Sequence, residues 1–264
     1  YYGGIPMLGA IAGDIIGSVY EFSNTSDKRF DLFTARSEFT DDTVLTVAVA
    51  DALMRGEPYP FKEKIRRWAL AYPHRGYGGR FQKWMHSSDD QPYGSFGNGS
   101  AMRVSPVGFA FGDETQTLAV AEQSATVTHN HPEGFKGAQA VALTQFLARR
   151  KASKETISER IQRDYGYDLS KPISEIRKHY RFNETCQGSV PQAIRAFLES
   201  EDYEDAIRLA IWLGGDSDTI ACIAGGIAEA FYGRVPKAIE SETLRRLPQE
   251  MKDVINRFYA WKPG

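Results

Sequence analysis

A chain of 264 residues, 42% hydrophobic and 25% charged, can bury a full core and is too apolar to be a long disordered arm. Lys and Arg total 32 against 34 Asp and Glu, so a net charge of -2 excludes a molecule drawn as a whole to nucleic acid or to an anionic membrane. The two cysteines, Cys186 and Cys222, lie in no CxxC or His/Cys cluster, which excludes a disulfide scaffold and a thiolate zinc site and fits a cytoplasmic chain.

Tyr1 to Pro6 stand before Met7 and are expected to be a foreign remnant, leaving one domain over 7–264 and a monomer. The apolar stretch Ile5 to Ile16 has no basic start, is interrupted by Asp14, and is too short to span a bilayer. Met7 to Phe22 has almost no polar face and predicts a helix buried on several sides, so Asp14 and Glu21 need partners. Thr40 is a good N-cap for a second buried helix through Asp41, Asp42 and Val44 to Met54, stopped by Gly56 and Pro58.

Lys62 to Tyr72 reads as an amphipathic helix, and His74-Arg75-Gly76-Tyr77-Gly78-Gly79 as a loop. After the polar segment His86 to Pro92, Gly94-Ser95-Phe96-Gly97-Asn98-Gly99-Ser100 is a second loop feeding a helix from Ala101. Helical patterns then cover Thr115 to Thr128, Glu133 to Arg150, Lys154 to Arg163, Val190 to Glu199 and Tyr203 to Leu213. Thr219 to Phe231 is nearly all Ala, Ile and Gly, and Gly225-Gly226 would allow a neighbour's backbone to come close. Pro236 and Pro248 punctuate short terminal helices. Strand-length alternation is scarce, so the expected fold is an all-α orthogonal helical bundle in which the most apolar helices, near opposite ends of the sequence, pack together.

Taken alone, Thr40-Asp41-Asp42-Thr43 is an ordinary helix start with favourable charge in its first turn. Gly214-Gly215-Asp216-Ser217-Asp218-Thr219 repeats the arrangement before another almost wholly apolar helix. Acids buried at the start of core helices pay a large desolvation penalty unless something cationic neutralises them. Carboxylate and hydroxyl oxygens suit a hard cation such as Mg²⁺ or Mn²⁺. Asp216 and Asp218 could reach two ions from one loop, and Glu21 is either a fifth carboxylate or a surface glutamate. A two-metal centre would give a ready water nucleophile.

These segments resemble the ADP-ribosylglycohydrolase family across nearly the whole chain. The carriers are Gly9-Ala10-Ile11-Ala12-Gly13-Asp14, Gly17-Ser18-Val19-Tyr20-Glu21, Phe39-Thr40-Asp41-Asp42-Thr43, Gly97-Asn98-Gly99-Ser100-Ala101-Met102-Arg103, Thr128-His129 and Gly215-Asp216-Ser217-Asp218-Thr219. The resemblance implies an all-α fold with a central pair of Mg²⁺ or Mn²⁺ ions that cleaves the bond at C1″ of ADP-ribose. It implies Thr40, Asp41, Asp42, Asp216, Asp218 and Thr219 as metal ligands, with Asp42 or Asp216 as general base. Glu21 is implied as a residue at the metal centre that gates substrate access, or as one that acts behind the ligands.

It further implies Gly76 and Gly78 along the diphosphate, Ser95, Phe96, Gly97, Asn98 and Gly99 at phosphate and distal ribose, and His129 as a substrate contact. Small residues there would let backbone N–H groups approach a pyrophosphate. His131 fits a helix start, and Asp89-Asp90 and the basic run Arg149 to Lys154 read as solvated. The expected partners are ADP-ribose and an ADP-ribosylated protein or small molecule; no nucleic acid or membrane is expected. The alternatives are a non-enzymatic ADP-ribose-binding module, a crystallin-like structural protein, or a phosphohydrolase acting on the pyrophosphate.

Overall fold

The computed structural model describes residues 6–261. The foreign-remnant expectation for Tyr1 to Pro6 therefore falls almost wholly outside the described residues. The chain opens with α1 (Leu8–Gly17), α2 (Asp41–Leu53), α3 (Phe61–Ala71), α4 (Gly79–His86), α5 (Gly99–Met102), α6 (Ser105–Ala110) and α7 (Glu114–Thr126). It continues with α8 (Pro132–Arg149), α9 (Lys154–Tyr165), α10 (Ile173–Ile176), α11 (Cys186–Glu199), α12 (Tyr203–Leu213), α13 (Ser217–Tyr232), α14 (Lys237–Arg245) and α15 (Gln249–Ala260). Among the described residues there is no strand, only an isolated bridge between Gly97 and Thr185. No described helix is long and apolar enough to cross a membrane.

Side-chain caps set many of the boundaries. The side chains of Thr40, Asp113, His131, Ser153, Thr185 and Asp202 each accept from a backbone N–H in the first turn of α2, α7, α8, α9, α11 and α12. His131 is thus a helix-start residue, its Nδ1 accepting from Glu133 N at 3.2 Å.

The two most apolar helices, α1 and α13, lie against each other backbone to backbone. Gly9, Gly13 and Gly17 recur every fourth residue and so form one stripe on α1. A Cβ on Gly13 would stand 2.1 Å from Ala221 O, one on Gly17 2.5 Å from Asp218 Cα, and one on Gly225 2.3 Å from Gly9 O. Only hydrogen at these positions permits that approach. The expected close contact at Gly225 is therefore made, and its partner is α1. The approach is what carries Asp14 and the residues after α1 to the start of α13.

Three sequence expectations are corrected. The first helix ends at Gly17 instead of Phe22; Tyr20 N bonds Gly17 O in a turn, and Asn24 draws the chain sideways onto the Gly214-Gly215 loop, donating to Gly215 O at 3.1 Å and accepting from Gly215 N at 2.9 Å. The helix expected from Ala101 is two short pieces, α5 and α6, because Pro106 at the start of α6 has no N–H to continue the first. α11 begins at Cys186, four residues before the expected Val190, under the Thr185 cap and with Pro191 inside it. α4 and α10 had no sequence expectation, since one follows a glycine run and the other spans a single turn.

Candidate active site

The N-termini of α2 and α13 converge. Asp14, wholly buried on α1, organises the first of them: its Oδ1 accepts from Thr40 Oγ1 at 2.7 Å, and its Oδ2 from Thr40 N at 3.0 Å, Thr43 N at 3.1 Å and Thr43 Oγ1. Asp42 Oδ2 accepts from Thr219 Oγ1 at 3.2 Å, which ties α2 to α13. Asp42 Oδ1 is buried without a hydrogen-bond partner among the described residues. Asp216 Oδ2 accepts from Asn98 Nδ2 at 2.6 Å, and Asp218 Oδ1 from Thr219 N at 2.9 Å. Single oxygens of Asp14, Asp42 and Asp218 fall within 4.8 Å of one another, and so do oxygens of Glu21, Asp216 and Asp218. Asp218 belongs to both groups.

Burial, then the neighbouring carboxylates, hold Asp41, Asp42 and Asp218 well above the usual carboxylate range, and burial raises Asp14 and Asp216 as well. Glu21, half-buried on the turn after α1, is pushed up to about 7 by burial and by Asp216 and Asp14. Such a crowd of acids is stable as a charged set only beside cations. The donor set is oxygen throughout, from carboxylates and threonine hydroxyls, and an orphaned buried carboxylate oxygen is part of it. Hard divalent cations fit those residues.

The rest of the cleft is built from loops. Asp41 N donates to Arg75 O at 2.7 Å, which pins the first Gly-rich loop beside α2. Gly76, at φ +99, has room for a Cβ only 3.0 Å from Asp41 Oδ1. The second loop is pinned on its far side: Asn98 N donates to Glu184 O at 2.7 Å, and Cys186 N to Phe96 O at 2.9 Å. Ser95 N reaches Thr128 O at 3.4 Å, and Phe96 packs against His131 with ring centroids 5.2 Å apart. His129 is buried, and burial with Arg103 and Arg80 nearby holds its imidazole well below the usual histidine value. Arg103 is fully buried with no carboxylate partner among the described residues, and its guanidinium is lowered to about 10 by burial.

These pieces enclose a cavity of about 340 Å³. A family model described as ADP-ribosylglycohydrolase matches residues 6–262. The chain belongs to the ADP-ribosylglycohydrolase family. Among its relatives is a mouse protein, "ADP-ribosylhydrolase ARH3" of Mus musculus, 28% identical over 88% of this chain and 84% of that protein. Another is "ADP-ribosylarginine hydrolase Tri1" of Pseudomonas putida, 24% identical over 94% of this chain and 76% of its own length. A solved structure titled "ADP-ribosylglycohydrolase-related protein complex" shares the fold at a TM-score of 0.72 and 24% identity, covering 96% of this chain and 95% of that one.

Of the residues the family resemblance singled out, the cavity is lined by Glu21, Asp41, Asp42, Asp216, Asp218, Thr219, Gly76, Gly78, Ser95 to Gly99 and His129. Thr40 stands behind that lining, with its hydroxyl on Asp14. Sequence reasoning did not single out Asp14 as a site residue, although an acid inside an apolar helix was the signal. It also missed Arg80, Tyr93, Arg103, Phe182, Glu184 and Thr185 in the lining. Arg103 lay within a quoted motif; the others sit in stretches with no motif of their own.

Proposed function

We propose that this protein hydrolyses the glycosidic bond at C1″ of ADP-ribose joined to an acceptor, a modified arginine or serine side chain or a small molecule, and releases ADP-ribose. The observation that carries the reading is that both Asp-rich helix starts and both Gly-rich loops line one cleft. A cavity of this size suits one small-molecule ligand. The names of the mouse and Pseudomonas relatives, a hydrolase of ADP-ribosyl groups and one of ADP-ribosylarginine, point the same way.

Thr40, Asp41, Asp42, Asp216, Asp218 and Thr219 would hold two divalent cations, Mg²⁺ or Mn²⁺; the overlap of the two carboxylate groups at Asp218 supports a pair. Bound there, the cations would supply Lewis acidity toward sugar hydroxyls and water. The Gly76–Gly78 and Ser95–Gly99 backbones receive the diphosphate and distal ribose, with the 41%-exposed ring of Phe96 toward adenosine. Asp42, whose Oδ1 has no partner among the described residues, or Asp216, held by Asn98, takes the proton of the attacking water. The water oxygen bonds to C1″, the bond from C1″ to the acceptor nitrogen or oxygen breaks, and the acceptor leaves with a proton. Glu21, at the rim, tunes substrate access.

The test is to offer the purified protein arginine-, serine- and nucleotide-linked ADP-ribose with Mg²⁺ or Mn²⁺ and identify the product. Intact ADP-ribose supports the proposal. AMP would make the protein a phosphohydrolase, and binding without release would make it a recognition module.

A further inference from the structure

The His129 ring is held from behind. Its Nδ1 lies 2.7 Å from Thr128 Oγ1, which accepts from Arg103 Nη2 at 2.9 Å. A guanidinium only donates, so that bond uses a lone pair of the threonine oxygen and leaves its proton to be placed. Among the described residues Nδ1 is the one group within reach that can accept the Thr128 hydroxyl proton, which favours the arrangement in which Thr128 donates and Nδ1 accepts. A nitrogen that accepts carries a lone pair, and the ring proton of a neutral imidazole then sits on Nε2. That edge faces the ligand loop: a Cβ on Gly99 would come 3.3 Å from Nε2 and one on Gly97 3.7 Å. Arg103 is itself fixed, by Ser124 O at 2.9 Å and Ala125 O at 3.4 Å, where α7 ends.

We propose that Arg103 and Thr128 are positioning residues that lock His129 in its Nε2–H tautomer, so that it offers one fixed donor to a phosphate or hydroxyl oxygen of ADP-ribose. This rests on the reading of the cleft as an ADP-ribose site. It gives the buried, carboxylate-free Arg103 a role: orienting a neutral ring without becoming its ion partner. It also argues against His129 as the base, since in that tautomer its only lone pair is turned away from the ligand and occupied. The arrangement follows the general pattern in which the bond at one ring nitrogen sets what the other can do.

The test has two arms, both on the full chain. Long-range proton–nitrogen spectra of the ligand-free protein near neutral pH should show His129 protonated at Nε2 and bare at Nδ1. Thr128→Val should turn this into a mixture of tautomers, and Thr128→Ser should restore the wild-type pattern. A protonated Nδ1 in the wild type, or an unchanged ring in Thr128→Val, overturns the proposal. Calorimetry with ADP-ribose should then show Thr128→Val weaker by about tenfold and Thr128→Ser within about twofold of wild type. Unchanged affinity in a Thr128→Val protein with mixed tautomers also overturns it. A locked ring in a wild-type protein that does not bind ADP-ribose instead overturns the ligand reading of the cleft and the donor role with it, and leaves the tautomer assignment supported.

Discussion

At one end of the cleft six carboxylates, Asp14, Glu21, Asp41, Asp42, Asp216 and Asp218, meet with no basic side chain bonded to any of them among the described residues. At the other end Arg103 is buried without an acid, its Nε and Nη1 unpartnered among the described residues, beside a neutral His129 and the guanidinium of Arg80. Burial shifts the carboxylates up and Arg103 down, so each end strains against its own charge. Yet the two ends do not pair. A stable core would let opposite charges cancel, and keeping them apart leaves the acidic end short of cations and the basic end short of an anion. The substrate proposed above would bridge such ends, with its diphosphate toward the basic end and its reacting sugar toward the acids.

The strongest way to break this comparison is to remove one acid. Asp218→Asn should cut metal-dependent release of ADP-ribose by at least about 100-fold. In metal-free buffer the same variant should melt higher than wild type, because a like charge has been taken from the crowd. Cations at about 100 times their dissociation constant should stabilise the wild type by about 2.7 kcal/mol and leave the variant nearly unmoved. Thermal melts with and without Mg²⁺ or Mn²⁺ read both effects, and a wild-type stability indifferent to cations would remove the metal assignment.

Gly13→Ala attacks the same end from a distance. Its methyl has no room against Ala221 O at 2.1 Å, so α1 must lift from α13, at a cost of roughly 1–3 kcal/mol. Because Asp14 moves with α1, cation-induced stabilisation should fall while ADP-ribose binding at the loops is spared. Equal loss of both would mean the two ends are mechanically coupled.

His129→Gln sharpens the basic end through pH. A histidine whose folded value is depressed contributes stability that is full above its unfolded value of about 6.5 and is lost as pH falls toward the folded one. Wild type should therefore lose up to about 1.4 kcal/mol more per pH unit below that point than the variant. Denaturant midpoints at a series of pH values measure the difference, and parallel curves would mean the ring is not held neutral. Phe96→Ala should be mildest: its ring is 41% exposed, so stability should change by less than about 0.5 kcal/mol while ADP-ribose affinity drops a few-fold. Calorimetry beside a melt separates the two.

Much of the fold was legible because helix signals are local. Thr40 caps α2, Pro236 and Pro248 stand immediately before α14 and α15, and Tyr203 to Leu213 is a helix over the expected range. The surplus of acid before two apolar helices was legible for the same reason: both motifs can be read within a few residues. Arg80, Tyr93 and Phe182 were not, since nothing in their own neighbourhoods distinguishes them from ordinary surface and core side chains.

What the amino-acid sequence determined by itself is the all-helical class and most of its longer helices, the two Asp-rich helix starts and the Gly-rich character of the ligand loops, all properties of short-range pattern and backbone sterics. Only the tertiary structure decided which acids meet. That outcome depends on the glycine stripe of α1 lying on α13, on Asn24 turning the chain after Gly17 toward Gly215, and on Asp14 receiving four hydrogen bonds from Thr40 and Thr43. Distance in space between residues 14, 42 and 218 is fixed by packing between helices, and no local spacing rule reaches across that many residues.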